Sequence, residues 1–180
     1  MRIYRKKEID GFLSGLKTRR QDMIRGDEDI TEGLLNAFAL EKGAQKFYQT
    51  ASERMQDRSA VEMFKKLADV EDKHMHAIYD LYNSFLGDRG PLPFNEFKEQ
   101  MSSEFTESGK SIEAALSDVS GRFFMDEKEV LRMALEEETT SRDLYIQMAE
   151  RAEDPTTAAL YRELSEDEAN HISMIREALQ

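Results

Sequence analysis

The chain has 180 residues, of which 25 are lysine or arginine and 37 are aspartate or glutamate, so its formal net charge is −12. The absence of cysteine excludes disulfide bridges, thiolate metal sites and a built-in iron–sulfur centre. The negative charge argues against a nucleic-acid partner, and no apolar run is long enough for a transmembrane segment. The length suits one domain, and the glutamate-rich, proline-poor composition predicts an all-helical fold.

Residues 1–26 form a basic segment ahead of an acidic body. They contain eight basic and three acidic side chains, whereas residues 27–180 contain 17 and 34. Within the segment, residues 6–25 have the periodicity of an amphipathic helix. Such a helix packs on its own bundle, docks a partner or lies on a membrane surface, and the pattern leaves all three open. No signal-peptide core follows the basic residues, so a cytoplasmic location is the default expectation.

Four long segments of the acidic body have the three-and-four spacing of amphipathic helices. A Ser-x-x-Glu pattern predicts that Ser59 caps the second helix, and Asp154 before a proline predicts the cap of the fourth. The predicted helices cover residues 29–56, 59–86, 126–152 and 155–180.

A long connection separates the second helix from the third. Glycine and proline residues at 87–93 end the second helix, and short helices are predicted near 95–106 and 111–119. Two closely joined helix pairs with one long link predict a four-helix bundle with a single crossover.

An ungapped shift of 97 residues superimposes the second helix pair on the first. It carries Glu71 and His74 onto Glu168 and His171, so a Glu-x-x-His motif occurs twice in one register. A single motif of this kind is usually ordinary surface, but a solvated face has no reason to preserve the register. The shift also matches Glu41 with Glu138, Tyr48 with Tyr145, Asp57 with Asp154 and Leu67 with Leu164.

Six of the repeated side chains are candidate metal ligands. Residues three apart project from one side of a helix, so each Glu-x-x-His pair can bind one ion. Four carboxylates inside a bundle would each cost several kcal/mol if they stayed uncompensated, and two divalent cations balance their charge. Oxygen-rich ligation with imidazole suits iron, with manganese or zinc as substitutes. The six candidates are Glu41, Glu71, His74, Glu138, Glu168 and His171.

Two tyrosines and an aspartate are candidates for supporting these ligands. Tyr48 and Tyr145 each lie two turns, about 10 Å, from the glutamate of their own helix. Each is therefore predicted to hydrogen-bond to a ligand from a neighbouring helix, and the alternative is a core tyrosine satisfied elsewhere. Asp167 directly precedes Glu168 and is a weaker candidate for orienting a histidine, because no acidic residue precedes Glu71.

On these residues the sequence resembles the rubrerythrin branch of the ferritin superfamily, over residues 30–86 and 126–180. The resemblance implies a ferritin-like bundle with two iron ions, in which Glu71 and Glu168 bridge the pair. It implies no catalytic residue beyond the metal ligands. The implied terminal ligands are Glu41 with His74 for one ion and Glu138 with His171 for the other.

The sequence differs at three points from the proteins that it resembles. Ser141 stands where rubrerythrins carry an additional glutamate, three residues after the third-helix ligand. Asp72 stands where bacterioferritin has its haem-ligating methionine, so no haem is expected. The chain also lacks a cysteine-bound iron domain, so electrons must come from an external donor protein or from ferrous iron.

The resemblance implies a non-haem di-iron oxidoreductase that reduces hydrogen peroxide or dioxygen, and a homo-oligomer is expected. The alternatives are a ferroxidase or iron-storage protein, for which ferrous iron is the substrate, and a structural helical bundle without a redox role. The symmetric ligand set predicts two equally ligated ions. Equal ligation favours retention of iron and therefore the redox catalyst.

Overall fold

The computed structural model describes residues 30–86, 92–101 and 127–180. The long helices pair as two hairpins, α1 with α2 and α4 with α5, and the hairpins meet where α2 faces α5. This arrangement confirms the predicted all-helical fold, a four-helix bundle with one crossover between the second and third long helices. The helices are α1 Ile30–Arg54, α2 Arg58–Leu86, α3 Phe94–Gln100, α4 Glu127–Arg151 and α5 Pro155–Ala178.

Some of the predicted elements lie outside the described residues. They are the basic segment 1–26 with its amphipathic helix, and the short helix near 111–119. The short helix predicted near 95–106 corresponds to α3 in the part that the structure describes. Within the described ranges, none of the helices combines the length and apolar character that crossing a bilayer requires.

The core consists of two apolar clusters separated by a polar layer. The first cluster joins the start of α1 to the end of α2, and the end of α4 to the start of α5. Its members include Leu34, Ile78, Tyr145 and Leu164. The second cluster joins the opposite ends of the same helices, and its members include Ala51, Leu67, Leu131 and Ile175. The candidate ligands on all four long helices lie between these two sets, at one depth of the bundle.

Equivalent aspartates cap the helices that follow the two tight turns. Asp57 accepts a hydrogen bond from the Ala60 N–H at 2.9 Å, and α2 begins directly after Asp57. The cap predicted at Ser59 is therefore wrong, and the Ser59 hydroxyl instead donates to Asp57. Asp154, 97 residues later, accepts from the Thr157 N–H at 2.7 Å. The same device thus fixes where the second helix of each hairpin begins.

The short helix α3 is held against the first hairpin. The rings of Phe97 and Phe38 meet edge to face with their centroids 4.9 Å apart. Lys42 Nζ donates to the carbonyl oxygens of Lys98 and Met101, each at 2.5 Å. These carbonyls lie at the C-terminal end of α3, where no intrahelical donor is available. The beginning of the crossover is thereby fixed beside a candidate ligand of α1.

Candidate metal centre

All six candidate ligands lie in the polar layer between the apolar clusters. The exposed fraction is 0% for Glu41, Glu71, Glu138 and Glu168, 4% for His74 and 2% for His171. Carboxylates are almost never fully buried unless they are paired or bind a metal. The burial therefore excludes an ordinary solvated face.

Three carboxylates lie close to one ring nitrogen of the first histidine. His74 Nδ1 lies 3.0 Å from Glu71 Oε2 and 3.2 Å from Glu41 Oε2. The same nitrogen lies 3.7 Å from Glu168 Oε1, which comes from the facing hairpin. It is therefore Nδ1 of His74 that faces the cluster.

The second histidine repeats this geometry. His171 Nδ1 lies 2.9 Å from Glu168 Oε2 and 3.2 Å from Glu138 Oε2. Glu71 Oε1, from the other hairpin, is 3.6 Å away. The rings of His74 and His171 stack with their centroids 5.7 Å apart. The sequence repeat is thus also a repeat of the site in space.

The six residues form two overlapping ligand sets. Within each set, one ligand atom from every residue lies within 4.8 Å of the others. Glu71 and Glu168 belong to both sets, so the arrangement indicates a site for a pair of metal ions. The sets are Glu41, Glu71, His74 and Glu168, and Glu71, Glu138, Glu168 and His171.

Each tyrosine contacts the glutamate of the opposite hairpin. The Tyr48 hydroxyl donates to Glu138 Oε1, and the Tyr145 hydroxyl donates to Glu41 Oε1. Both tyrosines are fully buried. The two hydrogen bonds therefore join the hairpins reciprocally and orient one oxygen of each of these glutamates.

Comparison with known proteins gives a family and a similar fold. The family profile of rubrerythrin matches residues 32–118 and 129–180. The chain belongs to the rubrerythrin family. A solved structure of a hypothetical protein from Pyrococcus furiosus is similar with a TM-score of 0.62 and 19% sequence identity, over 86% of this chain and 90% of that one. This likeness supports the fold alone, and no curated protein matches the chain.

The charged form of one glutamate is disfavoured in the metal-free cluster. Burial, together with the negative charges of Glu41 and Glu138, raises the pKa of Glu71 well above its ordinary value. Ionisation of Glu71 would place further negative charge in an apolar interior. A bound cation would remove this penalty.

The other glutamates of the metal-free cluster behave differently. Burial disfavours the charged form of Glu41, but the charge and hydrogen bond of His74 outweigh it and lower the Glu41 pKa. Burial likewise acts against ionised Glu138, but hydrogen bonds with Glu168 and His171 lower the Glu138 pKa. The charged form is therefore favoured at Glu41 and Glu138 and disfavoured at Glu71.

The residues fit a pair of divalent cations. Glu71 Oε1 is buried and accepts no hydrogen bond within the described residues, although His171 Nδ1 lies 3.6 Å away. A buried carboxylate oxygen without a hydrogen bond is costly, and a cation is a group that satisfies it. Two such cations would balance the four carboxylates of the site.

One aspartate distinguishes the two halves of the site. Asp167 Oδ2 lies 3.4 Å from His74 Nε2, on the side of the ring away from the cluster. Metal-binding histidines commonly donate this second N–H to a carboxylate. The equivalent position in the first hairpin is Val70, so the repeat supplies no such carboxylate for His171. The sequence signal for this residue was its place directly before Glu168.

We predict that the metal-free protein loses stability as the pH rises above about 4.5, the ordinary pKa of a glutamate. A group whose pKa is raised by folding stabilises the fold below its unfolded pKa. This contribution disappears as the pH rises through the folded pKa. Folding lowers the pKa values of Glu41 and Glu138, so these two groups stabilise the fold at pH values above the ordinary glutamate pKa. Their contribution to stability is lost only as the pH falls through their lowered pKa values.

The check is thermal unfolding in the presence of a chelator between pH about 4.5 and about 8. Glu71→Gln removes the ionisable group and should make the decline shallower. Glu62→Gln changes a glutamate of the same helix whose side chain is 64% exposed, and it should leave the decline unchanged. Equal slopes for Glu71→Gln and the wild type would contradict the assignment.

Proposed function

We propose that this rubrerythrin-family protein is a non-haem di-iron oxidoreductase that reduces hydrogen peroxide or dioxygen. The observation that carries the proposal is the pair of buried ligand sets that share Glu71 and Glu168. A single-metal site would need only one of these sets. A structural bundle would need neither, because apolar residues would fill the same layer at lower cost.

Each ion of the pair would take one histidine through Nδ1 and one terminal glutamate. Glu71 and Glu168 would bridge the ions, because each offers an oxygen to both histidine positions. The oxygen-rich ligand set suits iron, and manganese or zinc would fit the same donors. No haem is required by these residues.

When bound, a pair of ferrous ions would supply the two electrons that reduce one hydrogen peroxide molecule, with two protons, to two water molecules. The chain contributes the surroundings. Tyr48 and Tyr145 fix the orientation of Glu138 and Glu41, which keeps the terminal carboxylates in place when the charge of the site changes. The two apolar clusters limit the entry of water from both ends of the bundle.

A ferroxidase is the second candidate, and the contact between Asp167 and His74 favours it. A carboxylate on the outer nitrogen makes a histidine a stronger ligand. The ion at His74 would then be held more firmly than the ion at His171. Unequal ligation suits a site that passes iron onward, whereas equal ligation suits a site that keeps both ions.

The proposed reaction also needs a source of electrons. The chain has no cysteine for a second iron centre, so an external donor protein or ferrous iron itself would supply them. A homo-oligomer and a cytoplasmic location remain expectations from the sequence.

The protein is expected to bind two ferrous ions per chain under anaerobic conditions, and Glu168→Ala should reduce binding of both. The physical reason is that Glu168 lies in both ligand sets. Iron content after equilibrium dialysis is the measurement. Glu166→Ala, which changes an exposed neighbour on α5, serves as the control. Two tightly bound ions in Glu168→Ala would refute the bridging role.

Iron retention distinguishes the two candidate functions. We expect the loaded protein to consume one equivalent of hydrogen peroxide per iron pair and to keep about two iron ions per chain after desalting. Re-reduction should then restore peroxide consumption. Protein loaded with zinc, which fits the same ligands but supplies no electrons, should consume none. Loss of iron, or continued uptake of many ferrous ions per oligomer, would instead favour the ferroxidase.

A further inference from the structure

A serine lies on the stripe of α4 that faces the candidate metal centre. Ser141 is three residues after Glu138 and four before Tyr145, so the three side chains share one face of the helix. Glu138 belongs to a ligand set, and the Tyr145 hydroxyl reaches Glu41. Ser141 is 0% exposed. Its hydroxyl is therefore enclosed in the bundle between two groups that both point into the centre.

The Ser141 hydroxyl makes no hydrogen bond to any described part of the chain. A serine or threonine inside a helix can donate its hydroxyl hydrogen to a carbonyl oxygen one turn earlier. Ser52 does so to Gln49 O at 2.7 Å, and Thr139 does so to Leu135 O at 2.7 Å. Ser141 differs from both, because its buried hydroxyl has no acceptor among the described residues.

The sequence repeat shows that packing does not require this hydroxyl. The residue 97 positions before Ser141 is Ala44, which is also buried, with 3% of its surface exposed. The first hairpin thus fills the equivalent position with a methyl group. The second hairpin instead buries a hydroxyl group there, and a buried polar group without a hydrogen bond is unfavourable.

The other donors of the centre are already engaged with its carboxylates. Tyr48 and Tyr145 donate to Glu138 and Glu41, and both histidines face the glutamates through Nδ1. The carboxylates themselves are acceptors when they are ionised. Among the described residues, this leaves the Ser141 hydroxyl as the donor available to a ligand that enters the centre.

We propose that the Ser141 hydroxyl donates a hydrogen bond to a small exogenous ligand held at the metal pair, on the α4 side of the centre. The ligand is of the class of water or a small anion with an oxygen or nitrogen donor atom. This inference rests on the proposed di-metal function. It makes Ser141 a positioning residue for the incoming small molecule, and it makes the α4 side of the centre different from the α1 side.

The test uses azide as the small anion and protein loaded with cobalt(II), whose visible absorption responds to added ligands without redox turnover. Removing one hydrogen bond to a charged ligand weakens binding by roughly tenfold, so Ser141→Ala should raise the azide Kd by about that factor. Ser52→Ala removes a mostly buried helical hydroxyl that lies three turns from Glu41 on α1, and it should leave the azide Kd unchanged.

A second measurement separates this role from a structural one. In the metal-free protein, Ser141→Ala should not lower the Tm, because the hydroxyl has no acceptor among the described residues. Ser52→Ala should lower the Tm, because its hydroxyl bonds to Gln49. The substitution at 141 places in the second hairpin the residue that the first already holds at 44, so the variant is expected to fold.

The outcomes distinguish the inference from the function on which it rests. Unchanged azide affinity in Ser141→Ala with normal cobalt binding would overturn the role of Ser141 alone. A lower metal-free Tm for Ser141→Ala would also overturn it, because the hydroxyl would then serve the fold. Failure of the wild-type protein to bind two cobalt ions would overturn the metal centre and this inference with it.

Discussion

The structure depends on four glutamate side chains that lie fully buried in one layer of an apolar bundle. Charged carboxylates without partners cost several kcal/mol each in such surroundings. Two histidines and two tyrosines provide part of the compensation, but burial and the neighbouring carboxylates still raise the pKa of Glu71 well above its ordinary value. The proposed metal pair would supply further positive charge. The apolar clusters on either side of the layer then become the walls of a site.

The duplication explains how a short sequence builds this layer. Equivalent aspartates begin α2 and α5, and equivalent tyrosines reach across to the glutamate of the opposite hairpin. Each half of the site is therefore completed by the other. Because Tyr48 and Tyr145 each contact the opposite hairpin, neither hairpin can shift along the other without disturbing both ligand sets.

The chemical interest lies where the two halves differ. Asp167 supports His74 from outside the cluster, and its counterpart is Val70. Ser141 brings a hydroxyl into the layer, and its counterpart is Ala44. A fully symmetric site would treat its two ions alike. These two differences favour unequal ions and a preferred side for an incoming ligand.

Much of the fold was predictable because helical periodicity can be recognised within a short segment. The repeat can be recognised by comparing the chain with itself. The long helices and the register of Glu41 with Glu138 follow directly from these two signals. The prediction that Ser59 caps α2 was wrong because Asp57, two residues earlier, is also a good N-cap residue. The sequence does not show which of the two side chains accepts the hydrogen bond at the start of the helix.

Some contacts between distant segments were not predictable in this way. The attachment of α3 through Lys42, and the side of His74 that meets Asp167, depend on how the hairpins pack. Periodicity within one helix carries no information about such packing. For the same reason, the sequence could not show that Ser141 has no acceptor in the part of the chain that the structure describes.

Anomalous diffraction at the iron absorption edge, from crystals of the iron-loaded protein, would show directly whether two ions bind in the buried layer. We expect two peaks per chain in that layer, one beside Nδ1 of His74 and one beside Nδ1 of His171. Carboxylate density from Glu71 and Glu168 should reach both peaks. A single peak, or iron bound only at exposed acidic side chains, would contradict the proposed metal pair.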